Sequence, residues 1–308
     1  AIRHAILSSN PKQTDKTKRK ADAEQQAKEL LTAAVMKDHM NNVDITAKQY
    51  KPTIISTSLV TPFFFFLGER QMWYDQREAL SALNGKPIEI QVKVGKVDDE
   101  STVKVTPQIH AFNFGVNKGA VKFGLGAIKQ YFQNRRAIRQ LTEFFNTIPN
   151  TTPSPGDYKP AQKLLQEIQH LTRTPWSYLG NGNQYEVGAK LVCLANLLDA
   201  MECSSTAAIN CKSAKDRSQV LDCVAKTFMT MYKQNGDFPS SEQLKIIGNN
   251  KIRTQFKDIF STMLKESGGL EITELNTGAL GLKVDEMILI CGFTLEELLD
   301  IQGTSATT

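Results

Sequence analysis

Several features that would assign a function at once are scarce or absent in this chain of 308 residues. The five cysteines form no Cys-x-x-Cys pair, and the four histidines lie far from them and from one another, which leaves little support for a metal site. No apolar run approaches the ~18 residues that a membrane-spanning helix needs. The net charge of +5 is too small for a nucleic-acid-binding surface, although it suits an anionic substrate or membrane. We therefore expect no metal, no other cofactor, no nucleic-acid partner and no transmembrane segment.

The cysteine count and the start of the chain bear on where the protein works. An odd number of cysteines leaves one unpaired in any disulfide scheme, which favours a reducing compartment. The chain shows no signal peptide and begins with Ala1 rather than methionine. We therefore expect a piece of a longer protein whose targeting region is missing.

The strongest positive signal is the sequence Asn-Cys-Lys-Ser-Ala-Lys-Asp-Arg-Ser at residues 210–218, in which five residues separate Cys211 from Arg217. A free thiol is mostly protonated at neutral pH, so a nucleophilic cysteine needs surroundings that favour the thiolate. The backbone N–H groups of a short loop and the positive end of a following helix stabilise both a thiolate and a bound phosphate. The planar fork of Arg217 suits the equatorial oxygens of a phosphoryl group in transfer. The pattern predicts a phosphatase with Cys211 as its nucleophile.

Other positions of the loop refine this prediction. Lys212 and Lys215 add two cations, more than one phosphate monoester needs, which favours a substrate with several phosphates. Ser218 follows the arginine, where its hydroxyl can hydrogen-bond the sulfur and help it leave a phosphocysteine intermediate. Asp216 is a candidate general acid for the leaving oxygen, although its carboxylate can instead brace loop cations or backbone groups. The candidate substrate-binding residues of the loop are Lys212, Ser213, Ala214 and Lys215.

The segments on either side of the loop predict a strand, a loop and a helix in that order. Residues 207–209 form a short apolar stretch that can end a buried strand. Apolar residues then recur at helical spacing, at Leu221, Val224, Ala225 and Phe228. The alternative is a buried thiol before a basic helix, which we reject because buried lysines without an anion are costly.

Two ordered motifs give the chain a likeness to a known family. Residues 210–217 resemble the signature of the SopB/IpgD family of translocated bacterial phosphoinositide phosphatases, and they are similar to that of eukaryotic inositol polyphosphate 4-phosphatases. Residues 112–117, Phe-Asn-Phe-Gly-Val-Asn, resemble the other motif that these groups share, Phe-Asn-x-Gly-[Val/Ile]-Asn. Residues 276–278 and 281–284 resemble the C-terminal region of the family. The likeness runs from about Ile54 to the end of the chain.

The resemblance implies roles for particular residues. The matched positions are the nucleophile, the phosphate-binding arginine, the two basic loop positions and the two asparagines of the upstream motif: Cys211, Arg217, Lys212, Lys215, Asn113 and Asn117. We predict that the two asparagines position the loop. The chain departs from the family pattern in two places, where Ser218 replaces the usual threonine and Gln219 a common glycine. The hydroxyl is kept, but the shape of the pocket wall is expected to differ.

The family likeness also implies an activity, which is removal of the 4-phosphate of phosphatidylinositol 4,5-bisphosphate through a phosphocysteine. Removal of a 3-phosphate and phosphate transfer to another inositol lipid stay open. A dual-specificity protein phosphatase, which would leave the two loop lysines underused, and a non-catalytic phosphoinositide-binding module are further alternatives.

The same likeness implies a setting for that activity. A bacterial secretion system would deliver the protein into a host cell, where it acts at host membranes. The implied partners are phosphoinositide headgroups and an anionic membrane surface. Host small GTPases and ubiquitin-type regulators are further candidate partners.

The sequence predicts an α+β fold with a mixed sheet flanked by helices and the Cys-x5-Arg loop between a strand and a helix. Residues 1–50 are expected to form an N-terminal helical arm, and residues 51–308 the phosphatase domain. Alternating apolar residues at 88–105 predict a β-hairpin. The proline-rich residues 149–160 predict a loop that is either an internal boundary or an active-site lid.

A predicted helix at residues 127–145 is notable for its basic residues Lys129, Arg135, Arg136 and Arg139. A charge run of this kind is most often a solvated face, and otherwise a surface for phosphate or lipid headgroups. Because the helix follows the second motif closely, the headgroup interpretation stays open.

The two tryptophans and one histidine have plainer interpretations. Trp73 and Trp176 are isolated aromatic residues, which lie in a core more often than they stack on a ligand. His110 stands just before the second motif, where a hydrogen-bonded structural histidine is commoner than a catalytic one. We therefore expect all three to be structural.

Overall fold

The computed structural model describes ten segments of the chain and two single positions. The described residues are 1–8, 13–48, 50–60, 67–93, 100–116, 125–148, 155–178, 183–212, 216–245, 250–266, 293 and 296. Residues 276–278 and 281–284, which resemble the C-terminal region of the family, lie outside them.

Strands and helices are named here in chain order. The strands are β1 (Ile2–Ala5), β2 (Thr53–Ser58), β3 (Ile88–Lys93), β4 (Glu100–Val105), β5 (Gln108–Asn113) and β6 (Ser205–Cys211). The helices are α1 (Lys16–Met40), α2 (Leu67–Leu83), α3 (Leu125–Thr147), α4 (Pro155–Leu171), α5 (Asn183–Ala200), α6 (Asp216–Asn235), α7 (Ser241–Lys245) and α8 (Lys251–Glu266), with a short 3₁₀ turn at Pro175–Tyr178. No helix in the described ranges combines the length and apolarity that crossing a bilayer requires.

The described strands form two separate sheets. A central sheet has the order β1-β6-β2-β5 with every neighbouring pair parallel, and β3 pairs with β4 in an antiparallel hairpin. Strands joined through helical crossovers can run parallel, whereas β3 and β4 are close in sequence and pair antiparallel. The α+β class with helices flanking a sheet and the predicted hairpin are both confirmed. The predicted sheet mixed parallel and antiparallel strands, whereas in the described residues the parallel pairs form one sheet and the antiparallel pair forms another.

Helices cover both faces of the central sheet. Side chains alternate along a strand, so the neighbours Ile209 and Ala208 face opposite sides of the sheet. Ile209 belongs to the core cluster that includes residues of α3 to α6 and α8. Ala208 belongs to the cluster that includes residues of α1, α2 and the hairpin. All seven residues of β6 are buried as a result. The apolar residues predicted for α6 are all buried as well: Leu221, Val224, Ala225 and Phe228. The predicted strand before the loop and helix after it are therefore confirmed.

The first fifty residues contribute more to the sheet than the sequence indicated. β1 pairs along β6, and α1 packs against α2 and β3 through buried residues at helical spacing. Those residues are Ala23, Ala27, Leu30, Leu31, Ala34, Val35 and Asp38. The residues predicted as a helical arm thus include an edge strand of the central sheet, while the division into domains stays a prediction.

Two local predictions were wrong. The loop expected at residues 149–160 ends early because α4 begins at Pro155, and 149–154 lie outside the described residues. A proline suits the first position of a helix, since its missing N–H is not needed there. Trp176 is 69% exposed, because Tyr178 of the same short turn takes the buried position instead. Trp73 is buried as expected.

Candidate active site

The candidate nucleophile lies where the parallel strands end. Cys211 is the last residue of β6, and its carbonyl accepts a hydrogen bond of 3.0 Å from the N–H of Ile6, just beyond β1. Open parallel sheets bind ligands at this carboxyl edge, which we call the catalytic edge. Cys211 is buried, Lys212 is exposed, and α6 begins at Asp216. Residues 213–215, which complete the predicted loop, lie outside the described residues.

A hydroxyl contacts the sulfur of the candidate nucleophile. The Cys211 thiol donates to Ser218 Oγ at 3.7 Å, and Ser218 is fully buried in the first turn of α6. Once the thiol has lost its proton, the same hydroxyl can turn and donate to the sulfur. This is the geometry expected of a group that stabilises a thiolate leaving group.

The candidate phosphate-binding arginine is held by two groups from elsewhere in the chain. Arg217 Nη1 donates to the carbonyl of Leu59 at 3.1 Å and to both carboxylate oxygens of Glu69 at 3.4 Å. The Arg217 and Glu69 side chains are only 18% and 10% exposed. Glu69 lies in the first turn of α2, so this helix fixes the orientation of the guanidinium. Sequence analysis missed Glu69 because nothing local marks a residue whose partner is 148 positions away.

One asparagine from each sequence motif, Asn113 and Asn210, lies in the same row across the sheet. Ser58 of β2 is in register with Asn113 of β5 on one side and with Asn210 of β6 on the other. All three side chains are fully buried, and Asn113 Oδ1 accepts a 3.3 Å hydrogen bond from the N–H of Val60. The fold thus brings Asn113 to the same edge as Cys211, although its predicted role in positioning the loop stays a prediction.

Side-chain amides from α3 cap the edge strand that carries the second motif. Asn134 accepts from the N–H of Asn113 at 2.9 Å and donates to its carbonyl at 2.8 Å, while Gln130 accepts from the N–H of Gly115 at 2.9 Å. An edge strand otherwise presents unpaired backbone groups. Asn134 and Gln130 therefore take the place of a neighbouring strand and fix α3 to the catalytic edge. No local sequence pattern marks either residue.

Several predicted site residues cannot be placed. Asn117, Ser213, Ala214 and Lys215 lie outside the described residues, so their roles stay predictions. Asp216 is the first residue of α6, and its assignment as general acid also stays a prediction. Among the described residues no three His, Cys, Asp or Glu side chains lie close enough together to hold a metal ion.

His110 is a structural residue of an unusual kind. It is buried in β5 with its ring 5.8 Å from that of Phe144, and neither ring nitrogen has a hydrogen-bond partner in the described part of the chain. Burial lowers the pKa of His110 to about 4, so the ring is neutral at physiological pH. The expectation of a hydrogen-bonded histidine was therefore wrong, and the ring supplies no charge to a phosphate.

A protein family and several curated relatives match nearly the whole chain. The family described as enterobacterial virulence protein IpgD matches residues 1–295. The inositol phosphate phosphatase SopB of Salmonella typhi is 31% identical over 297 residues, which cover 92% of this chain and 50% of SopB. The inositol phosphate phosphatase IpgD of Shigella sonnei is 31% identical over 298 residues, covering 92% and 53%. The chain thus spans about half the length of these relatives.

Solved structures share the fold. A Legionella phosphoinositide phosphatase, SidF, superposes with a TM-score of 0.63 at 14% identity, over 97% of this chain and 65% of SidF. The structure of another Legionella phosphoinositide phosphatase gives a TM-score of 0.58 at 11% identity, over 99% of this chain and 33% of that one. At these identities the likeness concerns the fold alone. The match over residues 1–295 decides the family: this chain belongs to the IpgD family of enterobacterial virulence proteins.

Proposed function

We propose that the chain is the catalytic part of a phosphatase that removes phosphate from inositol phosphates or phosphoinositides with Cys211 as its nucleophile. The observation that carries the proposal is the pairing of Cys211 Sγ with Ser218 Oγ at 3.7 Å, beside an Arg217 held by Glu69. A buried thiol with a hydroxyl and an anchored guanidinium at a parallel-sheet edge is the constellation that phosphoryl transfer to cysteine requires.

The reaction has two displacements at phosphorus. In the first, the Cys211 thiolate forms a bond to phosphorus while the ester bond to the inositol oxygen breaks, and that oxygen takes a proton from a general acid. We assign Asp216 to that role. In the second, water attacks the phosphocysteine and gives a proton back to Asp216, the bond between sulfur and phosphorus breaks to restore the Cys211 thiolate, and inorganic phosphate leaves. Ser218 donates to the departing sulfur, and Arg217 holds the equatorial oxygens in both steps.

The substrate class follows from the relatives and from charge. The curated relatives are named inositol phosphate phosphatases, and SidF is titled a phosphoinositide phosphatase. The exposed Lys212 next to Cys211 supports a substrate with more than one phosphate, and we assign Lys215, Ser213 and Ala214 to the same site. Within this class we favour the 4-phosphate of phosphatidylinositol 4,5-bisphosphate over 3-phosphate removal or phosphate transfer.

The setting of the reaction is part of the proposal. The family is described as one of virulence proteins, which supports secretion into a host cell and action at host membranes. Host small GTPases and ubiquitin-type regulators are candidate partners of the longer protein. Asn113 and Asn117 are assigned to positioning the catalytic loop.

The deciding experiment measures phosphate release from short-chain phosphoinositides, soluble inositol phosphates and a phosphotyrosine peptide, with the Cys211→Ser protein alongside. We expect release from multiply phosphorylated inositol substrates, lowered at least about 10³-fold in the variant. Release from the peptide alone would favour a protein phosphatase. Lipid binding without any release would favour a non-catalytic binding module, and either result would overturn the proposal.

A further inference from the structure

We propose that the outer surface formed by α2 and the first half of α3 seats this domain on an anionic lipid bilayer. We call this surface the α2–α3 face and define it by Tyr74, Arg77, Lys129, Phe132, Arg135 and Arg136. The inference rests on the proposed function, because an enzyme that acts on lipid headgroups has to reach them in a membrane.

Large apolar side chains are exposed on α3. The described part of the chain exposes four such residues, and two of them, Ile128 and Phe132, lie one turn apart on this helix. Phe132 is 63% exposed. Helices that lie in the membrane interface carry aromatic residues beside basic ones, and the aromatic rings enter the headgroup region. The exposed ring of Phe132 beside the arginines of the face fits this composition.

Cations from both helices converge on one ring. Lys129 Nζ lies 4.9 Å from the centre of the Tyr74 ring, Arg77 Cζ 5.4 Å and Arg70 Cζ 5.6 Å. Burial alone would raise the pKa of Tyr74, but hydrogen bonding and charge from Lys129 and Arg70 bring it below its ordinary value. The lowered pKa of Tyr74 indicates a positive electrostatic potential between the two helices.

Among the described residues, no carboxylate forms an ion pair with the cations that define the face. Within the described ranges, Arg77, Lys129, Arg135 and Arg136 form no ion pair, and the three arginines are exposed. The nearby acids already have partners, since Glu143 pairs with Arg139 on α3 and Glu78 with Lys20 on α1. Anionic lipid attracts clustered basic residues that have no acidic partners, and so the charge of the face complements an anionic membrane rather than a neutral surface.

The face is placed next to the candidate active site. α2 begins beside Arg217, which its Glu69 contacts, and α3 is fixed to the catalytic edge through Gln130 and Gly115. Between the helices runs a groove of about 820 Å³ whose lining includes Tyr74, Arg77, Lys129, Phe132 and Arg136. A bilayer bound here would therefore lie against the two helices that reach the catalytic edge.

The test uses vesicles that contain no inositol lipid, so that binding at the active site does not contribute. The Cys211→Ser protein is sedimented with phosphatidylcholine vesicles that either include or lack phosphatidylserine. We expect binding that depends on phosphatidylserine. Combining Arg135→Glu with Arg136→Glu should weaken it about 25-fold or more, at roughly fivefold per charge removed. Phe132→Ser should weaken it about tenfold.

Two matched controls lie elsewhere on the molecule. Met40 is an exposed apolar residue at the end of α1. It lies near Lys37, whose ammonium donates a hydrogen bond to the Ser205 carbonyl, at the end of β6 opposite Cys211. Lys28 is an exposed cation on the same helix. Met40→Ser and Lys28→Glu should bind vesicles like the parent protein. In vesicles with brominated lipid, a tryptophan introduced by F132W should be quenched and one introduced by M40W should not.

The outcomes separate this inference from the proposed function. For activity measurements the protein keeps Cys211. If it hydrolyses soluble inositol phosphates and the face variants lose only hydrolysis of vesicle-bound substrate, the proposed function and the docking surface are both supported. If the face variants and controls bind vesicles alike, the docking surface is overturned, whatever the activity. If no substrate is hydrolysed but the face variants still lose binding, the proposed function fails and the docking surface stands. A face variant that binds vesicles normally but loses a host protein would assign the surface to that protein and overturn the inference.

Discussion

Two basic side chains of this domain are held by carboxylates in very different surroundings. Lys190 of α5 is fully buried, with its ammonium 2.7 Å from Glu167 and 2.9 Å from Glu186, and the two acids also bind Ser241. Arg217 lies at the catalytic edge, is 18% exposed and contacts its acid Glu69 at the longer distance of 3.4 Å. Lys190 is enclosed by its own protein partners, whereas Arg217 is held at the edge where we propose that the substrate binds.

An ion pair of similar chemistry stabilises the fold at Lys190 and holds a candidate phosphate-binding group at Arg217. Burial would lower the pKa of Lys190, yet Glu186 and Glu167 raise it above the ordinary lysine value. A raised pKa means that the charge of Lys190 stabilises the fold below the ordinary lysine pKa as long as its two acids are ionised, and that this contribution is lost as the pH rises through the folded pKa. We expect the Lys190 cluster to matter for folding and the Arg217 pair to matter for turnover.

The largest effect is expected from removing the buried cation. Lys190→Met leaves Glu186 buried without its charge partner, so the free energy of unfolding should fall by about 3–5 kcal/mol. Urea denaturation measures this, with Lys163→Met as control because Lys163 and Asp237 form an exposed pair worth at most about 1 kcal/mol. Adding Glu186→Gln should recover part of the loss. Equal effects at Lys190 and Lys163 would contradict the comparison.

A buried group without a hydrogen-bond partner among the described residues provides the next test. The depressed pKa of His110 means that the unfolded chain takes up a proton that the folded one does not, between about pH 6.5 and about pH 4. Stability should therefore fall as pH drops through this window, by up to about 3 kcal/mol. His110→Phe should remove that part of the pH dependence in urea titrations, and the exposed His170→Gln should not. An unchanged slope in the His110 variant would show that the ring is solvated.

The smallest effect is expected at the acid that holds Arg217. Glu69→Gln keeps the shape and one oxygen acceptor but removes the charge, so kcat should fall about tenfold with little change in KM, because the guanidinium is oriented for the transition state. Glu69→Ala should cost roughly another tenfold. The control is Glu78→Gln on the same helix, where the carboxylate is half exposed and pairs with Lys20. If both glutamine variants keep full kcat, Glu69 does not position Arg217.

Elements with strong local patterns were predictable from the sequence. The apolar spacing after the Cys-x5-Arg motif gave α6, and the alternation at residues 88–105 gave the β3–β4 hairpin. β1 escaped prediction because four residues with alternating burial carry too little signal, and its pairing with β6 joins residues about two hundred positions apart.

Some residues of the candidate site were also predictable from the sequence, and others were not. Cys211, Arg217 and Ser218 are visible in the sequence because one short motif contains them. Glu69, Asn134 and Gln130 are not, since each acts through a contact that only the fold creates. The residues proposed to react are thus visible in the sequence, but the residues that hold them in place are not.

The most direct test of the account looks for the covalent intermediate. The protein is mixed with a soluble inositol polyphosphate, quenched in acid during turnover, digested and examined by mass spectrometry. We predict a phosphoryl group on the peptide that carries Cys211, absent from the Cys211→Ser protein and from samples without substrate. Phosphate on a different residue, or undiminished turnover by the Cys211→Ser protein, would contradict the assignment of Cys211 as the nucleophile.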